Sequence, residues 1–212
     1  MRAAVARTNE LSSSYQEITA PHWREVKTAD SPLMLADCAA TRNRLNRELF
    51  QMKVFKMIGL AVVAIAAVLV GAGQIGLLAG SLPAQLGVAN GRLQQPSVNP
   101  NSVSSQAALY PENPQQAYAA MAPLQFTGDG EAAMARLTAV LEQSSGTVVV
   151  TRRPDYIYAQ CSTSLLKFTD DVEFWLDKAA GVIQFRSASR IGRKDFGVNR
   201  ARMESIRAKF QS

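Results

Sequence analysis

The sequence predicts an α+β protein, in which a single-pass N-terminal transmembrane helix precedes a small domain with a four-stranded antiparallel sheet flanked by helices. Three observations lead to this prediction. A run of 24 residues without a charge extends from Met57 to Gly80. Four short segments rich in β-branched and aromatic residues follow one another between residues 147 and 190. An amphipathic segment lies on each side of them, and strands grouped between helices are typical of the α+β class.

The charge-free run is long enough to cross a bilayer. An α-helix rises about 1.5 Å per residue, so roughly 20 residues span a hydrocarbon core of about 30 Å. Lys and Arg accumulate on the cytoplasmic flank of such a helix. On the C-terminal side only Arg92 occurs before Arg136, whereas five basic residues stand just before the run. They are Arg42, Arg44, Arg47, Lys53 and Lys56.

This asymmetry predicts a cytoplasmic N-terminus and an exported C-terminal domain. In a bacterium the location is then the inner membrane, and in a Gram-negative one the domain is expected in the periplasm. A secretory signal peptide is the alternative, but its apolar core has about 7 to 15 residues and a short leader. Here 56 residues precede a longer core.

The chain divides into four segments. The first is cytoplasmic, polar and disordered to about Asp30, and then helical with Ser31 as N-cap and Pro32 in the first turn. The third is rich in Gly, Pro, Asn and Gln and predicts a linker. In order, the segments are the cytoplasmic segment 1–56, the transmembrane helix 57–80, the linker 81–99 and the folded domain 100–212.

Each element of the domain has its own signal. Asp129 is a suitable N-cap for a helix that ends near Gln143, before Ser144-Ser145-Gly146. A second helix, Val198–Phe210, places Met203, Ile206 and Phe210 on one face. Between the helices, alternating and β-branched patterns predict strands. These are Thr147–Arg152, Tyr156–Thr163, Thr169–Leu176 and Val182–Arg190.

The last two strands predict a specific register. A loop at 178–181 places Glu173 opposite Arg186, and Leu176 opposite Ile183. Two faces follow from the alternation of side chains. The core face carries Val172, Phe174, Leu176, Ile183 and Phe185, and the other face carries Asp171, Glu173, Trp175, Arg186 and Arg190.

Composition excludes several functions. The net charge of +6 divides evenly before and after the apolar run, which is not a nucleic-acid-binding pattern. Cys38 and Cys161 fall on opposite sides of the predicted membrane, so no intrachain disulfide forms, and a buried inert thiol is expected at Cys161. Residues 81–212 contain no histidine and one cysteine, which excludes a Ser-His-Asp triad, a Cys-His pair and an ordinary zinc site. We therefore expect no catalytic residue, no metal site and no cofactor.

Three functions remain open. The first is a non-enzymatic interaction module that docks on another envelope protein or membrane complex through the charged sheet face. The second is a binder of anionic lipid or a small acidic ligand at Arg186, Arg190, Arg193 and Lys194. The third is a carboxylate-dependent hydrolase using Asp170, Asp171, Glu173 and Asp195, although cross-strand ion pairs explain these acids more simply. The candidate binding surface consists of Asp171, Glu173, Trp175, Arg186, Arg190, Arg193 and Lys194.

The apolar run also carries small residues at every fourth position. Ala72, Gly76 and Gly80 would form a ridge for close packing against another transmembrane helix, with Gln74 beside it as a hydrogen-bond donor.

Longer motifs resemble a known family. They are Phe168-Thr169-Asp170-Asp171-Val172-Glu173-Phe174, Arg186-Ser187-Ala188-Ser189-Arg190-Ile191-Gly192 and Asp195-Phe196-Gly197-Val198-Asn199-Arg200, preceded by Pro100-Asn101-Ser102-Val103-Ser104-Ser105. Over residues 96 to 210 the chain resembles the family catalogued as domain of unknown function 1499. The resemblance implies an envelope or organelle-lumen domain without an established activity. Family members commonly have cysteine where this chain has Ser102, so a thiol or metal role there is not expected.

Overall fold

The computed structural model describes residues 32–211. The predicted disorder before Asp30 and the predicted N-cap at Ser31 lie outside these residues. The chain divides into two compact units, Met1–Gly59 and Leu60–Ser212. The described residues of the first unit are helical throughout, and the second unit contains the sheet.

One long helix, α1, extends from Pro32 to Gln74. Within the described residues it is the one helix that is long and apolar enough to cross a membrane. A signal sequence near the N-terminus also meets these two criteria of length and composition.

The prediction that the helix continues to Gly80 is wrong. The Leu77 amide donates to the Ala72 carbonyl and the Gly76 amide donates to the Gly73 carbonyl, with Gly76 at φ 81°. This pair of bonds around a left-handed glycine is the Schellman motif that closes helices. The ridge of small residues is therefore absent, because Gly76 and Gly80 lie beyond the helix.

The domain is an antiparallel sheet with helices before and after it, as the sequence predicts, but the predicted number of four strands is wrong. Within residues 32–211 the sheet has six strands, ordered β1-β6-β5-β4-β3, and β2 also pairs with β6. The strands are β1 (Ser102–Ser104), β2 (Leu124–Gln125), β3 (Thr147–Arg152), β4 (Tyr156–Ser162), β5 (Thr169–Asp177) and β6 (Val182–Ser189). The shorter helices are a 3₁₀ turn (Ala107–Leu109), α2 (Gln116–Ala119), α3 (Gly130–Glu142) and α4 (Val198–Gln211).

The two additional strands lie along one edge of β6. β1 pairs with its C-terminal half and β2 with its first two residues. With three and two residues, they are too short to show the alternation that identifies a strand in a sequence.

The predicted helices and the predicted register are confirmed. The Asp129 carboxylate accepts a hydrogen bond from the Ala132 amide at 2.7 Å and caps α3. In the β5–β6 hairpin, Glu173 lies opposite Arg186, Phe174 opposite Phe185 and Leu176 opposite Ile183.

Helices α3 and α4 cover one face of the sheet, and the main core lies beneath them. The Cys161 thiol is buried in this core, as expected. Burial in apolar surroundings raises the pKa of this thiol. The largest fully buried core side chains are Phe174, Phe185, Leu124, Met134, Leu137, Leu141, Ile157, Ile183, Met203 and Val103.

Residues 84–97 cover the opposite face of the sheet; we call them the covering segment. Leu93 is 1% exposed and packs with Tyr156 and Tyr158, and Val88 and Trp175 border this second apolar cluster. Part of the predicted linker 81–99, around Val88 and Leu93, is thus packed against the domain.

Candidate functional site

The predicted binding surface lies largely beneath the covering segment. Asp171, Glu173 and Arg186 are buried, with exposures of 1%, 0% and 7%. Trp175 and Arg190 are half-buried, and only Arg193 and Lys194 of the predicted surface are exposed. The structure thus separates this set into a buried charged layer and two surface cations on the loop after β6.

Glu173 is the centre of the first buried cluster. One carboxylate oxygen, Oε1, accepts hydrogen bonds from the Tyr156 hydroxyl at 2.7 Å and the Gly87 amide at 2.6 Å. The other oxygen lies 3.6 Å from Nη1 of Arg186, which donates through Nε to the Gln95 carbonyl at 3.2 Å. The cluster therefore ties the covering segment to the sheet at two places.

Asp171 is the centre of the second buried cluster. Arg190 donates to both of its oxygens, through Nε at 2.9 Å and through Nη2 at 2.7 Å. The Tyr158 hydroxyl donates to the same carboxylate at 2.6 Å and accepts from the Gln160 amide at 2.9 Å. A two-pronged guanidinium–carboxylate pair of this kind is rigid and strongly oriented.

The protonation states follow from these contacts. Burial raises the pKa of the Tyr156 hydroxyl, and the Glu173 carboxylate raises it further. The same two causes, burial and the Asp171 carboxylate, raise the pKa of Tyr158. Both phenols are therefore protonated at neutral pH, and they serve as hydrogen-bond donors to the carboxylates.

The pKa values of Arg186 and Arg190 are shifted in opposite directions. Burial lowers the pKa of the Arg186 guanidinium, although Glu173 acts in the opposite direction. Hydrogen bonding to Asp171 raises the pKa of Arg190.

A third polar cluster lies on the helix side of the sheet. Asp170 pairs with Arg202 of α4, which also donates to the Ser187 hydroxyl at 3.0 Å and the Asn199 side chain at 2.6 Å. Asn199 donates to the Asn101 carbonyl at 3.1 Å, which joins α4 to the residue just before β1. These contacts fix the angle at which α4 crosses the sheet.

Asp195 anchors the loop that precedes α4. Its carboxylate accepts from the Tyr118 hydroxyl and from the amides of Gly197 and Asn199, both at 3.0 Å. Burial raises the pKa of this carboxyl, but the hydrogen bonds from Tyr118, Gly197 and Asn199 outweigh burial and lower it.

Several residues of these clusters were not singled out from the sequence. Tyr156 and Tyr158 alternate on β4, which is a recognisable signal for side chains on one face. Asn199 and Arg202 stand three residues apart on α4, a spacing that places them on one side of a helix. Gly87 and Gln95 contribute only backbone atoms, for which no residue type gives a signal.

The geometry does not support a reaction that uses two carboxylates as acid and base. Asp170 and Asp171 point to opposite faces of β5, so they cannot act on one substrate. Asp171, like Asp170, is bound to an arginine, and Glu173 is buried beside one. Within residues 32–211 no group of three or more His, Cys, Asp or Glu side chains could hold a metal ion. The position of Ser102 is also structural, since its hydroxyl accepts from the Ser97 amide at 2.8 Å.

Exposed apolar side chains lie outside these clusters. The outer edge of β3 carries Val148 and Val150, which are 63% and 52% exposed. The loop 190–197 carries Phe196, which is 93% exposed.

Comparison with known proteins identifies a family without a known activity. No curated protein and no solved structure matches the chain. The model of the family described as protein of unknown function (DUF1499) matches residues 92–210, which include β1 to β6 and most of α4. This match confirms the resemblance drawn from the motifs and extends over more than half of the chain. The chain therefore belongs to the DUF1499 family of proteins of unknown function.

Proposed function

We propose that the chain is a single-pass protein of a bacterial inner membrane, with its N-terminus in the cytoplasm and its sheet domain in the periplasm. The domain acts as a non-enzymatic module that docks on another envelope protein or membrane complex. The apolar length of α1 and the five basic residues that precede Met57 support this orientation.

The docking surface differs from the one that the sequence suggests. Glu173 and Arg186 are buried beneath the covering segment and Asp171 is buried against Arg190 and Tyr158, so a partner cannot reach them in this fold. The observation that carries the proposal is instead the free edge of β3. Within the described residues β3 ends the strand order, and no strand pairs with its outer side.

The free edge has the properties of a strand-binding site. An unpaired edge presents a row of N–H and C=O groups to which an extended peptide adds as a further strand. The sequence Thr147-Val148-Val149-Val150-Thr151 is β-branched throughout, and Val148 and Val150 lie exposed beside the backbone. A register shift between Val149 and Thr151 marks the end of the regular edge. We therefore propose an extended, apolar segment of an envelope protein as the partner.

Co-purification in mild detergent tests this proposal. The wild-type chain is expected to retain a stoichiometric partner, and the double variant Val148→Lys with Val150→Lys is expected to lose it, because lysine at an edge disfavours strand addition. The matched control, Val148→Thr with Val150→Thr, keeps both β-branched positions and is expected to retain the partner. Recovery of the wild-type chain always alone, or equal recovery of a partner with the lysine variant, would contradict the proposal.

The other two functions have weaker support. A hydrolase needs a carboxylate with access to substrate, and the buried ion pairs leave none on the charged face. Binding of a small acidic ligand at Arg186 and Arg190 has the same difficulty. Arg193 and Lys194 remain exposed on the loop after β6 and are therefore available to bind an anionic group.

A further inference from the structure

The end of α1 is in contact with two loops of the domain. The Gln74 side-chain amide donates to the Leu165 carbonyl at 3.0 Å. Gly73 lies so close to the backbone of Leu166 that a Cβ at Gly73 would come within 2.5 Å of the Leu166 carbonyl oxygen. Gly80 lies against the side chains of Arg190 and Ile191. Loops 163–168 and 190–197 are therefore both held at the C-terminal end of the helix.

The length of the apolar run places this end at the membrane surface. If the hydrocarbon core begins at Met57, about 20 residues at about 1.5 Å each reach its far boundary near Gly76. The contacts at Gly73 and Gln74 then fall within about 5 Å of this boundary, on its hydrocarbon side. Both loops lie at the same level, and this step rests on the orientation proposed above.

The two loops carry the side chains that a membrane interface accommodates. Leu165, Ile191 and Phe196 are exposed by 60%, 45% and 93%. Arg193 and Lys194 are exposed between the last two. Together with Asn99, Pro100 and Phe196, these two cations line a hollow of about 450 Å³. Aromatic rings are enriched at membrane interfaces, and basic side chains there bind anionic headgroups.

Phe196 is presented to solvent by a rigid frame. Its φ of 52° lies in the left-handed region, which is unfavourable for a bulky residue. On its two sides, the Asp195 amide donates to the Pro100 carbonyl at 3.2 Å, and the Asp195 carboxylate accepts from Gly197 at 3.0 Å. Backbone strain of this kind concentrates at functional positions, and here it projects an apolar ring away from the core.

We propose that loops 163–168 and 190–197 dock on the outer surface of the membrane that α1 crosses. Phe196, Ile191 and Leu165 enter the interface, and Arg193 and Lys194 bind the phosphates of anionic lipids. The domain is then held against the bilayer with a defined orientation, and the free edge of β3 is presented at a fixed position.

Depth-dependent fluorescence quenching tests this docking with the full chain. The variant Phe196→Trp is incorporated into nanodiscs of phosphatidylcholine and phosphatidylglycerol with brominated acyl chains. The tryptophan at position 196 is expected to have blue-shifted emission and to be quenched by the brominated lipid. The matched control is Ala179→Trp. Residue 179 is exposed in the β5–β6 turn, at the end of β5 and β6 that is opposite to loops 163–168 and 190–197. No quenching is expected there. The wild-type chain supplies the background of Trp23 and Trp175.

The headgroup contact is tested in the same system. Adding Arg193→Glu and Lys194→Glu to the Phe196→Trp variant is expected to reduce the quenching, as is omission of phosphatidylglycerol. Equal quenching at positions 196 and 179 would overturn the docking, and quenching independent of both the charges and the anionic lipid would overturn the headgroup contact. The melting temperature identifies a variant that has lost its fold, and Leu165→Trp then provides the same readout from the other loop. Failure of the chain to insert into nanodiscs would instead contradict the proposed membrane span of α1.

Discussion

At the scale of single residues, the charged face of the sheet has a structural role. The alternation along β5 and β6 correctly predicts which side chains share this face and that Glu173 lies opposite Arg186. It does not predict their burial. The covering segment lacks periodicity, and it reaches the charges through backbone atoms of Gly87 and Gln95. Buried ion pairs contribute little net stability, but loss of one partner leaves the other charge without compensation.

Glu173→Gln is therefore expected to lower the free energy of unfolding by about 3 to 5 kcal/mol, because the buried Arg186 loses its counter-charge. The measurement is denaturant unfolding of the full chain in detergent micelles. Glu131→Gln is the control, since it breaks the exposed ion pair with Lys178, and we expect almost no change there. An equal loss in both variants would refute the structural role of Glu173.

At the scale of elements, the sequence signals are reliable where a pattern is long and fail where it is short. Three of the four predicted strands differ from the observed ones by one residue at the C-terminal end, and α3 begins after its predicted cap. The strands β1 and β2 are stabilised by pairing with β6, a tertiary contact that leaves no local pattern. The sequence misplaces the end of α1 because Gly76 counts as one more uncharged residue of the apolar run. In the structure its left-handed backbone ends the helix.

Two glycines of α1 allow a test of the contact between the helix and loop 163–168. Gly73→Ala is expected to lower the melting temperature and to speed amide hydrogen exchange in this loop, because the added methyl group collides with the Leu166 carbonyl. A methyl group added at Gly71 would meet no atom within 4 Å, so Gly71→Ala should keep or raise the melting temperature. Slower or unchanged exchange in Gly73→Ala would show that this close approach does not hold the loop.

At the scale of the whole molecule, the family match identifies the domain but assigns no activity to it. The Lys and Arg asymmetry predicts the orientation in the membrane, and the composition of residues 81–212, which contain no histidine, excludes histidine chemistry there. The two proposed docking surfaces could not be predicted in this way. The free edge of β3 follows from the strand order, and the position of Phe196 follows from the contacts around Gly80 and Asp195, both of which are properties of the folded domain.

The orientation of α1 is the central claim, because both proposed docking surfaces depend on it. It is tested most directly with a membrane-impermeant maleimide applied to spheroplasts. In the described chain Cys38 is exposed on the N-terminal side of the apolar run, while Cys161 is buried and serves as an unreactive background. A cysteine introduced by Ala179→Cys is expected to be labelled in intact spheroplasts, and Cys38 only after lysis. Labelling of Cys38 in intact spheroplasts, with residue 179 protected until lysis, would contradict the account.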